Sequence, residues 1–113
     1  MSDCLFCKII KGEIPSTKIY EDEFVLAFAD IEPQAPFHAI IVPKEHICCA
    51  NKITAENSHL IGKVFEAGAK IAEQENLENG YRVVNNCGED GGQTVLHIHF
   101  HLLARRNLAW PPG

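Results

Sequence analysis

The segment His97-Ile98-His99-Phe100-His101-Leu102-Leu103 carries three of the six histidines of the chain, at every second position and separated by apolar residues. Side chains alternate between the two faces of a β-strand, so the pattern predicts a strand with its imidazoles on one face and apolar residues on the other. The predicted core face comprises Leu96, Ile98, Phe100 and Leu102. A single histidine on a sheet face usually needs no functional explanation. Three histidines in strict register are improbable without one, so they indicate a functional site.

Two kinds of chemistry suit these histidines. Strand histidines two residues apart can share one metal ion. Alternatively, one imidazole attacks a substrate while its neighbours orient it or donate protons. The preceding loop, residues 85–94, favours catalysis because Gly91-Gly92 lets backbone N–H groups approach an anion closely. Loop and histidines together predict phosphoryl transfer to an imidazole.

Composition limits the classes of protein that the chain can represent. Its 113 residues, 46% of them apolar, predict one domain spanning residues 1–113. The net charge of −5, with 15 acidic and 10 basic residues, argues against a nucleic-acid partner. We find neither a signal peptide nor an apolar run approaching the roughly 20 residues of a membrane span. We therefore expect a cytoplasmic protein without membrane association.

The cysteines point to a reducing compartment. There are five of them, an odd number, and Cys48 and Cys49 are adjacent, which does not suit a framework of disulfides. Cys4 and Cys7 have the spacing of half a zinc site. A redox dithiol is the main alternative for this pair, although no thioredoxin-like βαβ pattern accompanies it.

The order of the predicted elements indicates an α+β fold. Runs of strands accompany one long and one short helix, which favours an antiparallel five-stranded sheet over alternating βαβ units. Thr54 is the predicted cap of the long helix, with apolar residues recurring at helical spacing after it. The predicted helices are residues 4–10 and 54–76, and the predicted strands lie within residues 17–23, 24–31, 38–43, 81–85 and 97–103.

The pattern His-φ-His-φ-His-φ-φ, where φ is apolar, resembles the signature of the histidine triad (HIT) superfamily of nucleotide hydrolases and transferases. Other stretches are similar to its Hint branch, the purine nucleoside phosphoramidases. These are FCKIIKGEIP (6–15), LAFADIEPQAPFH (26–38), VPKEHI (42–47), GYRVVNN (80–86), DGGQT (90–94) and WPPG (110–113). The terminal WPPG resembles this branch more than the branch that hydrolyses dinucleoside polyphosphates.

The resemblance implies catalytic roles for four residues. His99, the middle histidine, would be the nucleophile of a covalent nucleotidyl-imidazole intermediate that water then hydrolyses. His101 would contact the phosphate and assist the leaving group, and His38 would back the nucleophile. Thr94 stands where the family usually carries serine, so the hydroxyl that serves the leaving group is kept with an added methyl group.

The resemblance also implies a nucleotide-binding site. Asn86 and the backbone around Gly92 and Gln93 would hold the phosphate, and the carboxylate of Asp30 would accept hydrogen bonds from the ribose hydroxyls. Without the resemblance, Asp30 is equally a turn residue, His38 an interior histidine and the apolar positions core. The implied base pocket comprises Leu5, Phe6, Ile9, Phe28, Ile31 and Ile40.

For the metal site, the chain resembles bacterial HIT proteins that combine the cysteine pair with the histidine of PKEH and the first triad histidine. This resemblance implies that His46 and His97 complete a site with Cys4 and Cys7. The expected cofactor is one structural zinc ion, with no organic cofactor.

The activity implied is hydrolysis of the P–N bond in purine nucleoside 5′-phosphoramidates, which gives AMP or GMP and an amine. The alternatives are a nucleotide- or metal-binding adaptor without turnover and a dinucleoside polyphosphate hydrolase. The expected partner is a second copy of the chain, joined through the long helix and a neighbouring strand into an extended sheet. The tail, about residues 104–113, would reach toward the active site of the other copy.

Overall fold

Five antiparallel strands and two α-helices form the fold, and a computed structural model describes them over residues 3–113. This arrangement confirms the predicted α+β class. In chain order the elements are α1 (Leu5–Ile10), β1 (Lys18–Glu21), β2 (Val25–Ala29), β3 (Phe37–Pro43), a 3-10 turn (Ala50–Lys52), α2 (His59–Gln74), β4 (Tyr81–Asn85) and β5 (Phe100–Ala104).

The sheet has the strand order β1-β2-β3-β5-β4, with every neighbouring pair antiparallel. The histidine-bearing strand β5 is therefore interior to the sheet, between β3 and β4. In the register of these pairs, His101 lies opposite Ile40 on one side and Val84 on the other. Since directly opposed residues share a face, His101 and Ile40 point to the same side of the sheet.

The two faces of the sheet are covered by different helices. On one face, α2 buries Leu60, Val64 and Ile71 against Ile41 and Leu102. Alternation along β2 and β3 directs a second apolar set to the other face, where α1 covers it. This second cluster comprises Phe6, Leu26, Phe28, Ile40 and Val42.

The structure corrects the predicted extent of the histidine strand. Only His101 of the three histidines lies within β5, which begins at Phe100. Leu96 was predicted in the core, yet it is 69% exposed, whereas His97 is 0% exposed. The reason is that residues before Phe100 leave the ladder: the N–H of Ile98 donates to the carbonyl of Ile47 at 2.6 Å.

The long helix is also shorter than predicted, and Thr54 is not its cap. The carbonyl of Thr54 accepts the N–H of Ser58 at 2.9 Å and its hydroxyl accepts the N–H of Glu56 at 3.2 Å, so residues 54–58 form a separate turn. The side chain of Asn57 stabilises this turn by donating to the carbonyl of Lys52. Within residues 3–113, neither helix combines the length and the apolarity that crossing a membrane requires.

Candidate functional site

A pocket of about 520 Å³ opens on the sheet face that α1 covers. Its walls come from α1, from β2 and β3 and from the loop of residues 85–94. Apart from Gln93, every residue of the predicted nucleotide site lines it: Leu5, Phe6, Ile9, Phe28, Asp30, Ile31, Ile40, Asn86, Gly92, Thr94, His99 and His101. The fold thus gathers an apolar end, a carboxylate and a group of hydrogen-bonding side chains around one cavity.

His99 is held in a single tautomer by the backbone. Its Nδ1 atom lies 2.7 Å from the carbonyl oxygen of His97, and because a carbonyl only accepts, Nδ1 carries the proton. The unprotonated nitrogen is therefore Nε2. The ring is buried, and the edge of Phe6 packs against it with ring centroids 5.0 Å apart. The neutral form of His99 thus has its lone pair on Nε2, and the residue lines the pocket.

His101 is oriented by His38, which stands behind it. The N–H of Gln34 donates to Nδ1 of His38 at 3.0 Å, so the proton of neutral His38 is on Nε2. That Nε2 lies 2.8 Å from Nδ1 of His101 and 3.3 Å from the carboxylate of Asp30. Nδ1 of His101 then accepts, which leaves the N–H of its Nε2 free to donate. The hydrogen bond from Gln34 to His38 and the one from His38 to His101 thus leave the Nε2–H of His101 as a donor facing the pocket.

Burial favours the neutral forms of His101 and His38. Burial, the largest cause, and the neighbouring rings of His99 and His38 together lower the pKa of His101 to about 4, while Asp30 opposes them. Burial likewise lowers the pKa of His38, again opposed by Asp30. At neutral pH both rings therefore act as hydrogen-bonding groups without a net charge.

The loop of residues 85–94 is shaped by one glycine. A Cβ atom on Gly91 would lie 2.5 Å from the carbonyl oxygen of Cys87, so any side chain there would displace the backbone. Gln93 braces the loop, because its amide nitrogen donates to the carbonyls of Cys48 at 2.7 Å and Val95 at 3.0 Å. This explains why Gln93, although predicted at the nucleotide site, does not line the pocket.

The backbone amides of the same loop are engaged internally. The N–H of Gly92 donates to the carbonyl of Glu89 and that of Gln93 to the carbonyl of Gly88, each at 3.0 Å. Phosphate capture by these two amides would require the turn to open. The side chains of Asn86 and Thr94, which line the pocket, are donors that need no such change.

A second cluster joins the N-terminal helix to the sheet. The ligand atoms of Cys4, Cys7, His46 and His97 all lie within 4.8 Å of one another. Cys4 is also the N-cap of α1, and its sulfur accepts the N–H of Cys7 at 3.3 Å. The sequence prediction of these four residues as one group agrees with this placement.

The spacing of the cluster fits a tetrahedral zinc site. Bond lengths of about 2.3 Å to sulfur and 2.05 Å to nitrogen place a sulfur and a nitrogen ligand roughly 3.6 Å apart and two nitrogens roughly 3.3 Å apart. The sulfur of Cys4 lies 3.3 Å from Nδ1 of His97, and the sulfur of Cys7 lies 3.4 Å from Nδ1 of His46. The two Nδ1 atoms are 3.2 Å apart. The donor set is thus already close to the required geometry.

The surroundings of the cluster suit a cation as well. Nε2 of His97 lies 2.9 Å from the carbonyl oxygen of Pro43 and must carry the proton, so Nδ1 has its lone pair toward the cluster. Burial lowers the pKa of His97, which keeps the ring neutral as metal ligation needs. Burial raises the pKa of the Cys7 thiol, so a thiolate there needs the positive charge that a bound divalent cation supplies.

Several residues of the site were not predicted from the sequence. Gln34 and Asn85 act on the histidines from outside the pocket, the latter by donating to the carbonyl of His99 at 2.9 Å. No sequence signal distinguishes a backbone amide or an asparagine with such a role. Ser16, in the segment between α1 and β1, was assigned no role. The additional lining residues are Ile14, Pro15, Ser16, Ala29, Glu32 and Val95.

Comparison with known proteins agrees with this geometry. Residues 11–108 match the HIT domain. The chain is 48% identical to the purine nucleoside phosphoramidase of Escherichia coli strain K12 over 107 residues, covering 94% of this chain and 90% of that protein. It is 52% identical over 114 residues to the 14 kDa zinc-binding protein of Zea mays, covering 99% and 89% of the two chains.

The crystal structure of a HIT family hydrolase from Legionella pneumophila Philadelphia 1 superposes with a TM-score of 0.95 at 50% identity, covering 98% of this chain and all of the other. The chain therefore belongs to the HIT family.

Proposed function

We propose that this HIT hydrolase cleaves the P–N bond of purine nucleoside 5′-phosphoramidates, giving a nucleoside monophosphate and an amine. The observation that carries this proposal is the bond from Nδ1 of His99 to the carbonyl of His97, which leaves Nε2 of His99 as a nucleophile in a pocket. Family membership and the identity to a purine nucleoside phosphoramidase support the choice of substrate class.

The pocket suggests how a nucleotide is placed. Its apolar end, where Phe6 and Phe28 meet edge to face at 5.6 Å, suits a purine ring. Asp30 lines the pocket with a carboxylate, one oxygen of which faces His38 and His101. This carboxylate can accept hydrogen bonds from the ribose hydroxyls. The α-phosphate would then lie against Asn86 and Thr94.

In the first step, Nε2 of His99 attacks the α-phosphorus and the P–N bond breaks. The leaving nitrogen departs as an amine, taking up one proton delivered from solvent through the hydroxyl of Thr94. Phosphorylated His99 is an imidazolium, and its Nδ1–H stays bonded to the carbonyl of His97, which stabilises the positive charge. The Nε2–H of His101 donates to a phosphate oxygen throughout.

In the second step, water attacks the same phosphorus atom. Its oxygen remains on the nucleotide with one proton, its other proton leaves to solvent, and the bond to Nε2 of His99 breaks, with the electron pair returning to that nitrogen. The imidazole returns to its starting tautomer because the carbonyl of His97 still requires a proton on Nδ1. The products are the monophosphate and the amine already released.

We propose that Cys4, Cys7, His46 and His97 hold one zinc ion with a structural role. When bound, zinc supplies cross-linking of α1 to the sheet and no chemistry at phosphorus. His97 belongs to both sites, because its ring faces the cluster while its carbonyl holds His99. Fixing this residue therefore fixes the orientation of the nucleophile.

The test is detection of the covalent intermediate. Protein mixed with adenosine 5′-phosphoramidate and quenched in base should gain the mass of one adenylyl group, and peptide mapping should place it on His99. His59→Ala is a matched control, because His59 is exposed at the start of α2 and should not change adduct formation.

A protein that binds AMP but forms neither adduct nor amine would be an adaptor, and the proposed activity would be wrong. Adduct formation from a dinucleoside polyphosphate, without reaction of the phosphoramidate, would favour the other hydrolase branch.

A further inference from the structure

Arg106, in the tail that follows β5, reaches the loop between β2 and β3. Its Nε donates to the carbonyl oxygen of Gln34 at 3.0 Å. The N–H of the same residue, Gln34, donates to Nδ1 of His38, also at 3.0 Å. Gln34 thus links Arg106 to His38, which in turn contacts His101.

The loop's own bonds lie at its start and base: the N–H of Asp30 donates to the carbonyl of His38 at 3.0 Å, and the N–H of Glu32 donates to the carboxylate of Asp30 at 2.8 Å. Residues 31–34 are exposed, and Ala35 is the buried side chain of this stretch. The side chain of Gln34 bonds only within the loop, to the carbonyl of Glu32 at 3.0 Å. A bond from a charged guanidinium is stronger than one between neutral groups, so Arg106 is the principal external anchor at Gln34.

The tail that carries Arg106 is itself tied to the sheet. Arg82 of β4 donates to the carbonyls of Leu108 and Ala109, each at 3.0 Å. The anchor is therefore part of the folded domain, and it can hold the loop in register with the strands beneath it.

From these contacts we infer that Arg106 is a positioning residue, which acts through the Gln34 peptide and His38 to keep the proton of His101 on Nε2. This inference rests on the proposed function, where the Nε2–H of His101 donates to the phosphate. Besides the Gln34 amide, the carboxylate of Asp30, 3.3 Å from Nε2 of His38, favours a proton on that nitrogen. Loss of the amide therefore raises the share of His38 protonated on Nδ1 without making it the sole form, and a His38 protonated on Nδ1 requires Nδ1 of His101 to donate. His101 would then present a lone pair to the phosphate oxygens, which repel it.

The test compares Arg106→Gln with Arg105→Gln. Arg105 is a neighbouring tail arginine with the same charge, but it bonds to Glu75 at the end of α2 and makes no bond to the β2–β3 loop. We expect Arg106→Gln to lower kcat on adenosine 5′-phosphoramidate by roughly ten- to a hundredfold with KM changed less than about threefold. Arg105→Gln should leave both constants within about twofold.

The diagnostic readout is the histidine tautomer, observed in two-bond ¹H–¹⁵N spectra of protein labelled at histidine. The wild type and Arg105→Gln should show unprotonated Nδ1 and protonated Nε2 on His38 and His101, whereas Arg106→Gln should show a mixture. Should Arg106→Gln fail to fold, Gln34→Pro removes the N–H donor directly and should give the same mixture and the same loss of kcat.

Unchanged tautomers in folded Arg106→Gln would overturn the inference, even if kcat fell, and so would an equal loss in Arg105→Gln. If Arg106→Gln does not fold, unchanged tautomers in Gln34→Pro would overturn it. A change of tautomer with wild-type kcat would also overturn it. If the wild type itself does not turn over the phosphoramidate, the proposed function fails, while the spectra still decide whether Arg106 controls the His101 proton.

Discussion

The ring of His99 is bonded to the backbone of His97: Nδ1 of the former lies 2.7 Å from the carbonyl oxygen of the latter. The ring of His97 in turn points to the cysteine cluster, where its Nδ1 lies 3.3 Å from the sulfur of Cys4. One residue thus orients the candidate nucleophile with its backbone and a candidate metal ion with its side chain. Two sites that differ in chemistry are adjacent because they share His97.

Replacement of His99 by alanine should abolish turnover and spare binding. The change removes the lone pair that attacks phosphorus, and a direct attack by water lacks the pre-placed nucleophile, so we expect kcat to fall by several powers of ten. AMP should still bind, because Asn86, Asp30 and the apolar wall remain. Calorimetric titration with AMP and amine-release kinetics measure the two effects. A variant that retained more than a few per cent of the wild-type rate would exclude His99 as nucleophile.

Cys4→Ser should release the proposed metal. Protein purified without chelators should contain about one zinc ion per chain by elemental analysis, and the variant should contain much less. Loss of a ligand that binds only the folded state lowers the melting temperature, yet turnover measured well below that temperature should persist. Cys49→Ser is the control, since this thiol lies outside the cluster. Wild-type protein free of zinc under these conditions would contradict the assignment.

Acid should destabilise the fold through His101. Its pKa falls from 6.5 in the unfolded chain to about 4 in the folded one. Between these values the unfolded state binds the extra proton, so the free energy of unfolding decreases as pH falls from about 6.5 toward 4, by on the order of 3 kcal/mol at most. His101→Gln keeps an acceptor for His38 but cannot titrate. The free energy of unfolding can be measured by urea titration in the presence of a chelator from about pH 7 to about pH 4.5, which spans this window. It should depend less steeply on pH in the variant, and equal slopes would contradict this account.

We also expect a symmetric dimer formed through α2 and the edge strand β4. Phe65 of α2 is 53% exposed beside an apolar groove that Ile61 and Phe100 help to line, and Trp110 of the tail is 80% exposed. Apolar surface of this kind on a small domain indicates an interface. Sedimentation at micromolar concentration should give a dimer for the wild type and a monomer for Phe65→Glu. Lys70→Glu, a charge change elsewhere on α2, should remain dimeric, and a monomeric wild type would refute the prediction.

Local rules account for the elements of the sequence that were predicted correctly. Alternation along β3 and β5 places His101 and Ile40 on one face, and the Cys4-x-x-Cys7 spacing suits the first turn of a short helix. The same rules failed at Leu96, because alternation applies only while the chain stays in the ladder. They failed at Thr54 because the local turn of residues 54–58 takes up the groups that a helix cap would use.

What the sequence by itself determined was the chemistry available: an α+β sheet, three histidines in alternation, a glycine turn before them and a cysteine pair. What only the tertiary structure decided was how those groups are oriented. His46 and His97 are 51 residues apart in the chain, and their Nδ1 atoms meet at 3.2 Å. The proton positions of His99 and His38 follow from a carbonyl and an amide of the backbone, which every residue type supplies alike. Because such groups carry no sequence signature, their partners are defined only when the chain folds.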